Sequence, residues 1–127
     1  MADASVGAVS GVVDRFLDAV GARDFDGIAA CFDDDARMRA LVPSRLRDET
    51  GPDAIAERYR FWLGGADTVE LVDREHDLMV GSERVRYRLR IIHPHNGEQV
   101  MEQEGYATVN GDRITALNLV CSGFLPL

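Results

Sequence analysis

The stretch RFLDAVGARDFDGIAACFDDDARM, residues 15–38, carries the signals that decide the fold. Its first half continues an apolar pattern that recurs at i, i+3, i+4, i+7, i+8 and i+11 between Val9 and Val20. That spacing places the apolar side chains on one face of an amphipathic helix. We expect Asp3 or Ser5 to cap the start of this helix and Gly21 to end it.

Asp24 begins a second, shorter apolar segment that leads into three consecutive aspartates. An aspartate in front of such a segment is a typical N-cap, so a helix with its apolar residues between Phe25 and Phe32 is predicted. Aspartate side chains accept hydrogen bonds from nearby backbone N–H groups, and adjacent carboxylates on an exposed turn rarely converge on an ion. Asp33, Asp34 and Asp35 are therefore predicted to turn the chain, with metal binding as the weaker alternative.

The stretch that follows predicts one strand, one loop and one helix. Residues 36–43, ARMRALVP, alternate as a short strand does, with Met38, Ala40 and Val42 on one face. Residues 44–51, SRLRDETG, are typical of a polar loop. Pro52 suits the first position of a third helix, whose apolar side runs from Ile55 to Leu63 and which the glycines at 64 and 65 would end.

From Thr68 onward the apolar pattern changes to a period of two. It predicts four strands, at about 68–80, 83–94, 98–109 and 113–124, and the turn signals Gly81-Ser82, Asn96-Gly97 and Asn110-Gly111 separate them. Helices followed by antiparallel strands indicate an α+β fold, with the helices covering one face of a curved sheet.

One strand register of the hairpin around Asn96-Gly97 gives favourable side-chain pairs on both faces. If Arg90 lies opposite Glu102 and Arg88 opposite Glu104, one face carries opposed charges and the other carries mostly apolar pairs. The arginines at 86, 88 and 90 then form an outward ladder that glutamates neutralise. An anion-binding stripe is the alternative reading of this ladder.

Composition narrows the class of protein. A length of 127 residues, with 46% apolar residues, suits one domain over residues 1–127 with one core. The net charge of −8 argues against nucleic acid and anionic membranes as partners. No stretch approaches the roughly 20 apolar residues of a membrane span, and the first residues lack the basic segment of a signal peptide. Cys31 and Cys121 are expected to be buried thiols in a reducing cytoplasm.

Three stretches resemble the NTF2-like superfamily, and within it the SnoaL-like and ketosteroid-isomerase-like proteins. They are residues 15–38 quoted above, GPDAIAERYRFW at 51–62 and YATVNGDRITALNLV at 106–120. The resemblance implies a cone in which three N-terminal helices pack on a strongly curved, mostly antiparallel sheet that encloses a pocket. It also implies a homodimer formed through the sheet.

The catalytic residues of related enzymes are replaced in this chain. The isomerases use a tyrosine, an aspartic acid and an aspartate base. The resemblance places Phe16, Gly105 and Ala40 at those positions, and none of these side chains can exchange a proton. In the limonene-epoxide-hydrolase-like members an acid on the last strand activates water, and Asn118 falls there. No clear equivalent of the acidic group of the SnoaL-like polyketide cyclases is found.

Strand alternation, together with the resemblance, selects the residues expected to face the pocket. His93 is the predicted proton carrier, because histidine titrates near working pH, and Asn118 is predicted to orient a ligand carbonyl. A hydrogen-bonded structural role is the alternative for both. The other residues predicted to contact the substrate are Tyr87, Gln103, Phe16, Tyr59, Trp62, Met38, Met101 and Val120.

These expectations favour a cofactor-independent cyclase, isomerase or dehydratase that acts on a small hydrophobic, polyketide- or terpenoid-like molecule. A binding protein without chemistry and a structural dimer with a filled core are the alternatives. No metal site is predicted: His93 and His95 share a strand face, but His76 is expected to be exposed and neither it nor Glu98 is assured as a third ligand. The expected partner is a small apolar molecule, and the expected state is a cytoplasmic homodimer.

Overall fold

The computed structural model describes residues 9–127, so the predicted caps Asp3 and Ser5 lie outside the described residues. Within these residues, three helices come before the long strands of the hairpins, and seven strands form one sheet. The helices are α1 Gly11–Ala22, α2 Phe25–Ala30 and α3 Pro52–Leu63. The strands are β1 Phe32–Val42, β2 Arg45–Thr50, β3 Thr68–Met79, β4 Ser82–His93, β5 Gly97–Asn110, β6 Arg113–Cys121 and β7 Leu125–Pro126.

The sheet is mostly antiparallel, curved and unclosed, and the helices cover its concave side. Its strand order is β2-β1-β6-β5-β4-β3, and β7 pairs with β5. Only β1 and β6 run parallel among the described pairs. The predicted α+β cone is confirmed, and the core lies between the helices and the concave face of the sheet.

Gly21 does not end α1. The helix continues to Ala22, and Arg23 ends it in the left-handed region at φ 53°. A Cβ on Gly21 would lie 3.0 Å from Cβ of Leu71, so the glycine allows α1 to approach β3 closely. The cap of α2 is as predicted, because the Gly27 N–H donates to Asp24 Oδ1 at 2.9 Å.

The three aspartates belong to β1, so the predicted turn is wrong in its geometry. Between Phe32 and Arg37 the strand advances five residues, while its partner β6 advances two, from Ile114 to Ala116. The three additional residues, 33–35, form an exposed bulge in β1. No cluster that could hold a metal ion occurs among residues 9–127. The run therefore bends a strand where a turn was expected.

The predicted polar loop at residues 44–51 is mostly strand β2. It pairs antiparallel with β1, from Val42 opposite Arg45 to Arg37 opposite Thr50. Because β2 is an edge strand with mainly polar residues, it has no alternation of buried apolar positions for a pattern to detect.

The register of the central hairpin and the inward face of β6 both differ from the prediction. In the central hairpin Arg88 lies opposite Glu102 and Arg86 opposite Glu104, a shift of two residues from the predicted pairing that leaves the faces unchanged. In β6 the error is one residue, which reverses the faces. An irregularity between Thr108 and Val109 of β5 shifts the pairing with β6 by one. The buried residues of β6 are Ile114, Leu117, Leu119 and Cys121, so the inward orientation predicted for Asn118 and Val120 is wrong.

Candidate functional site

Three polar side chains meet inside the cone. Tyr59 comes from α3, Tyr87 from β4 and Gln103 from β5, and each is at most 1% exposed. Tyr87 and Gln103 lie directly opposite each other in the β4–β5 pairing, and both point toward the helices. Tyr59 occupies the face of α3 that also buries Ile55 and Leu63. We call Tyr59, Tyr87 and Gln103 the inner trio.

One hydrogen-bond donor of the inner trio lacks an acceptor. The hydroxyl oxygens of Tyr59 and Tyr87 are 2.8 Å apart, and the Tyr59 hydroxyl is also 3.1 Å from Gln103 Oε1. The Tyr87 hydroxyl donates to the same Oε1 atom. Gln103 Nε2 is buried and has no hydrogen-bond partner among residues 9–127. Such an atom is unusual, because buried polar groups in folded proteins are nearly always paired.

Both phenols of the trio stay neutral. Burial is the main cause that raises the pKa of the Tyr59 hydroxyl, and it also raises the pKa of the Tyr87 hydroxyl well above the ordinary value of 10.0. Neither tyrosine can therefore act as a base near neutral pH. They can donate hydrogen bonds, as can the amide of Gln103.

Aromatic rings surround the trio on the helix side. The Phe16 ring lies edge-on to the rings of Tyr59 and Tyr87, at centroid distances of 5.8 and 6.3 Å. Trp62 contacts Tyr59 in the same manner at 5.1 Å. Met38 and Met101, also predicted to contact a substrate, are fully buried in the same core. Of the predicted contact residues in this region, Trp62 alone is only partly buried.

The side chains around the trio are buried, Phe16, Met38 and Met101 among them. Five of the hollows formed by the described residues have volumes of about 270 to 570 Å³, and no member of the inner trio lines any of these five. Movement of Phe16 and Trp62, whose rings lie against the trio, would open space for a ligand there.

His93 lies at the end of β4, away from the trio. Its Nδ1 atom accepts from the backbone N–H groups of His95 and Asn96, at 3.2 and 3.3 Å, and so holds the hairpin loop. Tyr87 is six residues away along the same strand, which corresponds to about 20 Å. The structure does not bring His93 together with Gln103.

Asn118 lies on the convex face of the sheet. Its strand neighbours Leu117 and Leu119 are buried, whereas Asn118 is exposed and Val120 is 57% exposed. Both line an outer hollow of about 270 Å³, together with Leu46 and Tyr106. The two residues predicted as catalytic therefore lie apart from each other and from the trio.

A second polar cluster was missed by sequence reasoning. His76, expected to be exposed, has a side chain that is only 8% exposed, and it contacts Glu83 and Asp14. Glu83 is 6% exposed. Its position gave a usable signal, because it shares strand parity with the inward residues Val85 and Tyr87. A carboxylate on an inward face needs partners, and that requirement could have pointed to the cluster.

The comparisons agree with this architecture. The sequence profile of the SnoaL-like domain matches residues 13–117, so the chain belongs to the SnoaL-like domain family. No curated protein matches its sequence. Among solved structures, a hypothetical protein of ketosteroid-isomerase-like fold from Catenulispora acidiphila, in complex with trimethylamine, has a TM-score of 0.74 at 10% identity, over 91% of this chain and 88% of that one.

Two further structures carry enzyme names. A candidate polyketide cyclase from Xanthomonas campestris has a TM-score of 0.70 at 17% identity, with 87% of each chain covered. An LEH-like epoxide hydrolase from M. tuberculosis has a TM-score of 0.64 at 19% identity, over 87% of this chain and 80% of that one. At these identities the similarity shows the fold. Among residues 9–127, no helix is long and apolar enough to cross a membrane.

Proposed function

We propose that the protein binds a small, neutral, largely apolar molecule that carries a hydrogen-bond acceptor, such as a carbonyl, at the inner trio. The observation that supports this most is the buried, unpaired Gln103 Nε2 atom beside two phenols. An unpaired buried donor costs about 1–3 kcal/mol, and a ligand acceptor would recover much of that cost. A carbonyl oxygen offers two lone pairs, so it can accept from the amide and from one phenol together.

The surroundings of the trio favour a neutral ligand. Glu83 is the one charged residue among those buried in the described part of the chain, and its oxygens are engaged by Ser10 and His76. A carboxylate ligand would find no cation at the trio, and desolvating it would cost several kcal/mol, as an order-of-magnitude figure. The rings of Phe16 and Trp62 supply apolar contacts for the rest of the molecule.

Trp62 provides a direct test of binding, because it is the only tryptophan of the chain and its ring lies 5.1 Å from that of Tyr59. Cyclohexanone, cyclohexylamine and cyclohexanecarboxylate share one ring and differ in their head groups, and trimethylamine represents the ligand of the structural neighbour. We expect cyclohexanone to change the tryptophan fluorescence at the lowest concentration. Binding of the amines or the carboxylate in preference to the ketone would contradict the proposal.

A variant of the trio and a control variant test whether the ketone binds at the trio. Gln103→Leu removes the unpaired amide and should weaken ketone binding about tenfold, since a hydrogen bond of about 1.4 kcal/mol is worth that factor. Tyr106→Phe removes a phenol from the outer face of the same strand, where it is 45% exposed, and should leave binding unchanged. Equal affinity of the Gln103→Leu and natural proteins would refute the assignment of the trio.

A second candidate function is catalysis of ring closure, isomerisation or dehydration on a polyketide- or terpenoid-like molecule. It is favoured by the names of the structural neighbours, which include a polyketide cyclase and an epoxide hydrolase. In this version the trio stabilises negative charge on the carbonyl oxygen. The roles expected of His93 as proton carrier and of Asn118 as orienting group would require both residues to come closer to the trio than the structure places them. Turnover that survives His93→Gln unchanged would remove His93 from the mechanism.

We also propose that the protein is a cytoplasmic homodimer. The convex face carries an apolar row across three strands, in which Leu46 lies opposite Leu41 and Leu41 opposite Val120. All three are about half exposed. Val120→Glu should shift the protein toward monomer in light scattering, whereas Val80→Glu, at a hairpin tip, should not. The two buried free thiols, Cys31 and Cys121, suit a reducing compartment.

A further inference from the structure

A cluster of Ser10, Asp14, His76 and Glu83 joins the start of α1 to the β3–β4 hairpin. The Ser10 N–H donates to Glu83 Oε1 at 2.9 Å, and its hydroxyl donates to Glu83 Oε2. Ser10 is the N-cap residue of α1, yet its side chain makes no bond to its own helix. The carboxylate of Glu83 thus takes the place of a cap, where the positive end of the helix dipole also favours it.

His76 connects this carboxylate to a second one. Its Nε2 atom is 2.7 Å from Glu83 Oε1, and its Nδ1 atom is 3.4 Å from Asp14 Oδ1. A protonated imidazole has an N–H on each nitrogen and can donate to both carboxylates. A neutral imidazole has one bare nitrogen, which would then point its lone pair at a carboxylate oxygen. The geometry therefore fits the charged form of His76 better than the neutral form.

We propose that Ser10, Asp14, His76 and Glu83 form a proton-dependent clasp that fastens the first turns of α1 to the hairpin and releases them when His76 loses its proton. Arg74, on β3, is the other charged group of the cluster, and its guanidinium donates to Asp14 Oδ1 at 3.2 Å and to Asp18 Oδ1 at 2.7 Å. Arg74 stays charged throughout the working range, so it keeps Asp14 in place while His76 changes state.

Protonation of the Glu83 carboxylate would open the clasp at low pH. Burial would raise the pKa of the Glu83 carboxyl, but the hydrogen bonds from Ser10 and the contact with His76 outweigh it, and this pKa lies below its ordinary 4.5. A lowered pKa means that the stabilisation is present above pH 4.5 and is lost as the pH falls through the folded-state value. The histidine side opens at the other end, because a rise in pH removes the proton that lets the ring donate to both carboxylates. The clasp is therefore closed in mildly acidic solution.

Release of α1 would uncover the inner trio. Phe16, two residues beyond Asp14 along α1, packs edge-on against Tyr59 and Tyr87, so the start of this helix lies over the proposed ligand site. This consequence rests on the proposed function, whereas the clasp itself does not. A measurement on the ligand-free protein therefore tests the clasp separately.

Hydrogen–deuterium exchange at pH 5.5 and pH 8.0 supplies that measurement, with protection factors corrected for the intrinsic effect of pH. We expect the protection of α1 to fall about tenfold at the higher pH, the loss of one hydrogen bond to a charged group, while α3 keeps its protection. His76→Gln should give low α1 protection at both pH values, and His95→Gln, at an exposed histidine without contact to α1, should behave as the natural protein does.

Two results would overturn the clasp. One is equal protection of α1 at both pH values in the natural protein, a result that needs no variant. The other is a pH dependence of α1 that persists in His76→Gln. The NMR titration of the His76 ring gives a further requirement, because its midpoint must coincide with the pH at which α1 loses protection. Ketone binding by a protein that fails these tests would leave the proposed function standing.

Discussion

Strands β4 and β5 carry polar clusters on both faces, and the inner trio and the outer arginine ladder are built in opposite ways. On the concave side Tyr87 and Gln103 are neutral, fully buried and short of one acceptor. On the convex side the arginines at 84, 86, 88 and 90 each contact at least one carboxylate. Arg86 alone contacts Asp73, Glu75 and Glu102. The same two strands thus pair each of these four outer arginines with a carboxylate and leave an inner amide unpaired.

The difference shows how to interpret a polar residue in this fold. On the convex face charged side chains are easily accommodated, since water and neighbouring strands supply partners. Each exposed ion pair there contributes about 0–1 kcal/mol to the free energy of unfolding. On the concave face each polar atom must find its partner among a few buried side chains. An unpaired atom is therefore informative only inside the cone, and Gln103 Nε2 is such an atom.

Truncation of two adjacent residues of β4 should give the largest difference in stability between the two faces. Leu89 is fully buried, and Leu89→Ala should lower the free energy of unfolding by about 2–5 kcal/mol, through lost burial and the cavity left behind. Arg88 has a side chain that is 47% exposed, and Arg88→Ala should change the same quantity by about 0.5 kcal/mol or less. Urea unfolding measures both. Similar losses in the two variants would show that the faces of β4 have been misassigned.

A second pair of variants tests the faces of β6. Leu119→Asn places an amide in the core, where Leu119 is 5% exposed, and should cost about 2–4 kcal/mol of unfolding free energy. Asn118→Leu changes an exposed residue and should stay within about 0.5 kcal/mol. Thermal unfolding of the two proteins compares them directly. If Asn118→Leu were the costlier change, the originally expected inward orientation of Asn118 would be restored.

The strands show how far the sequence predicts this fold. Alternation over residues 68–110 identifies β3, β4 and β5 nearly to the residue, because their inner positions are mostly apolar and their outer ones mostly charged. It fails at β6 because a single irregularity after Thr108 changes the parity, and turn residues do not report such a shift. The sequence pattern does not predict the edge strand β2, because neither face of this strand is consistently apolar.

The sequence predicted which residues form the candidate site, but not how they contact one another. Tyr59, Tyr87 and Gln103 were each expected to face inward, and the structure places them together. That they bond to one another depends on the curvature of the sheet and on the position of α3, which a one-dimensional pattern does not contain. His93 shows the same limit, since its ring is used by the loop that follows it. Asp14 on α1 and Glu83 on β4 are far apart in the chain, and no local sequence motif predicts that His76 contacts both.

A third pair of variants compares phenols on the two faces. Tyr87→Phe removes the donor that reaches Gln103 Oε1 and should lower the free energy of unfolding by about 1 kcal/mol. Tyr106→Phe alters an exposed phenol for which no hydrogen bond is described, and should leave stability within about 0.5 kcal/mol. Chemical denaturation with an unchanged m-value is the measurement. A Tyr87→Phe protein as stable as its parent would mean that the inner trio contributes nothing as a bonded unit.

The smallest expected effect concerns acid pH and the outer ladder. Hydrogen bonds from Arg86 and then from Arg84 lower the pKa of the Glu75 carboxyl from 4.5 to about 2. A lowered pKa stabilises the fold above the unfolded value, and this contribution is lost as the pH falls from about 4.5 toward about 2. Stability of the natural protein should therefore decline through that interval, and Glu75→Gln should flatten the decline. Added salt should flatten it too, because the ladder is exposed to solvent, whereas the bonds of the inner trio should not respond. An acid profile that Glu75→Gln leaves unaltered would show that the ladder is only a solvated surface, and the contrast between the two faces would then rest on the inner trio alone.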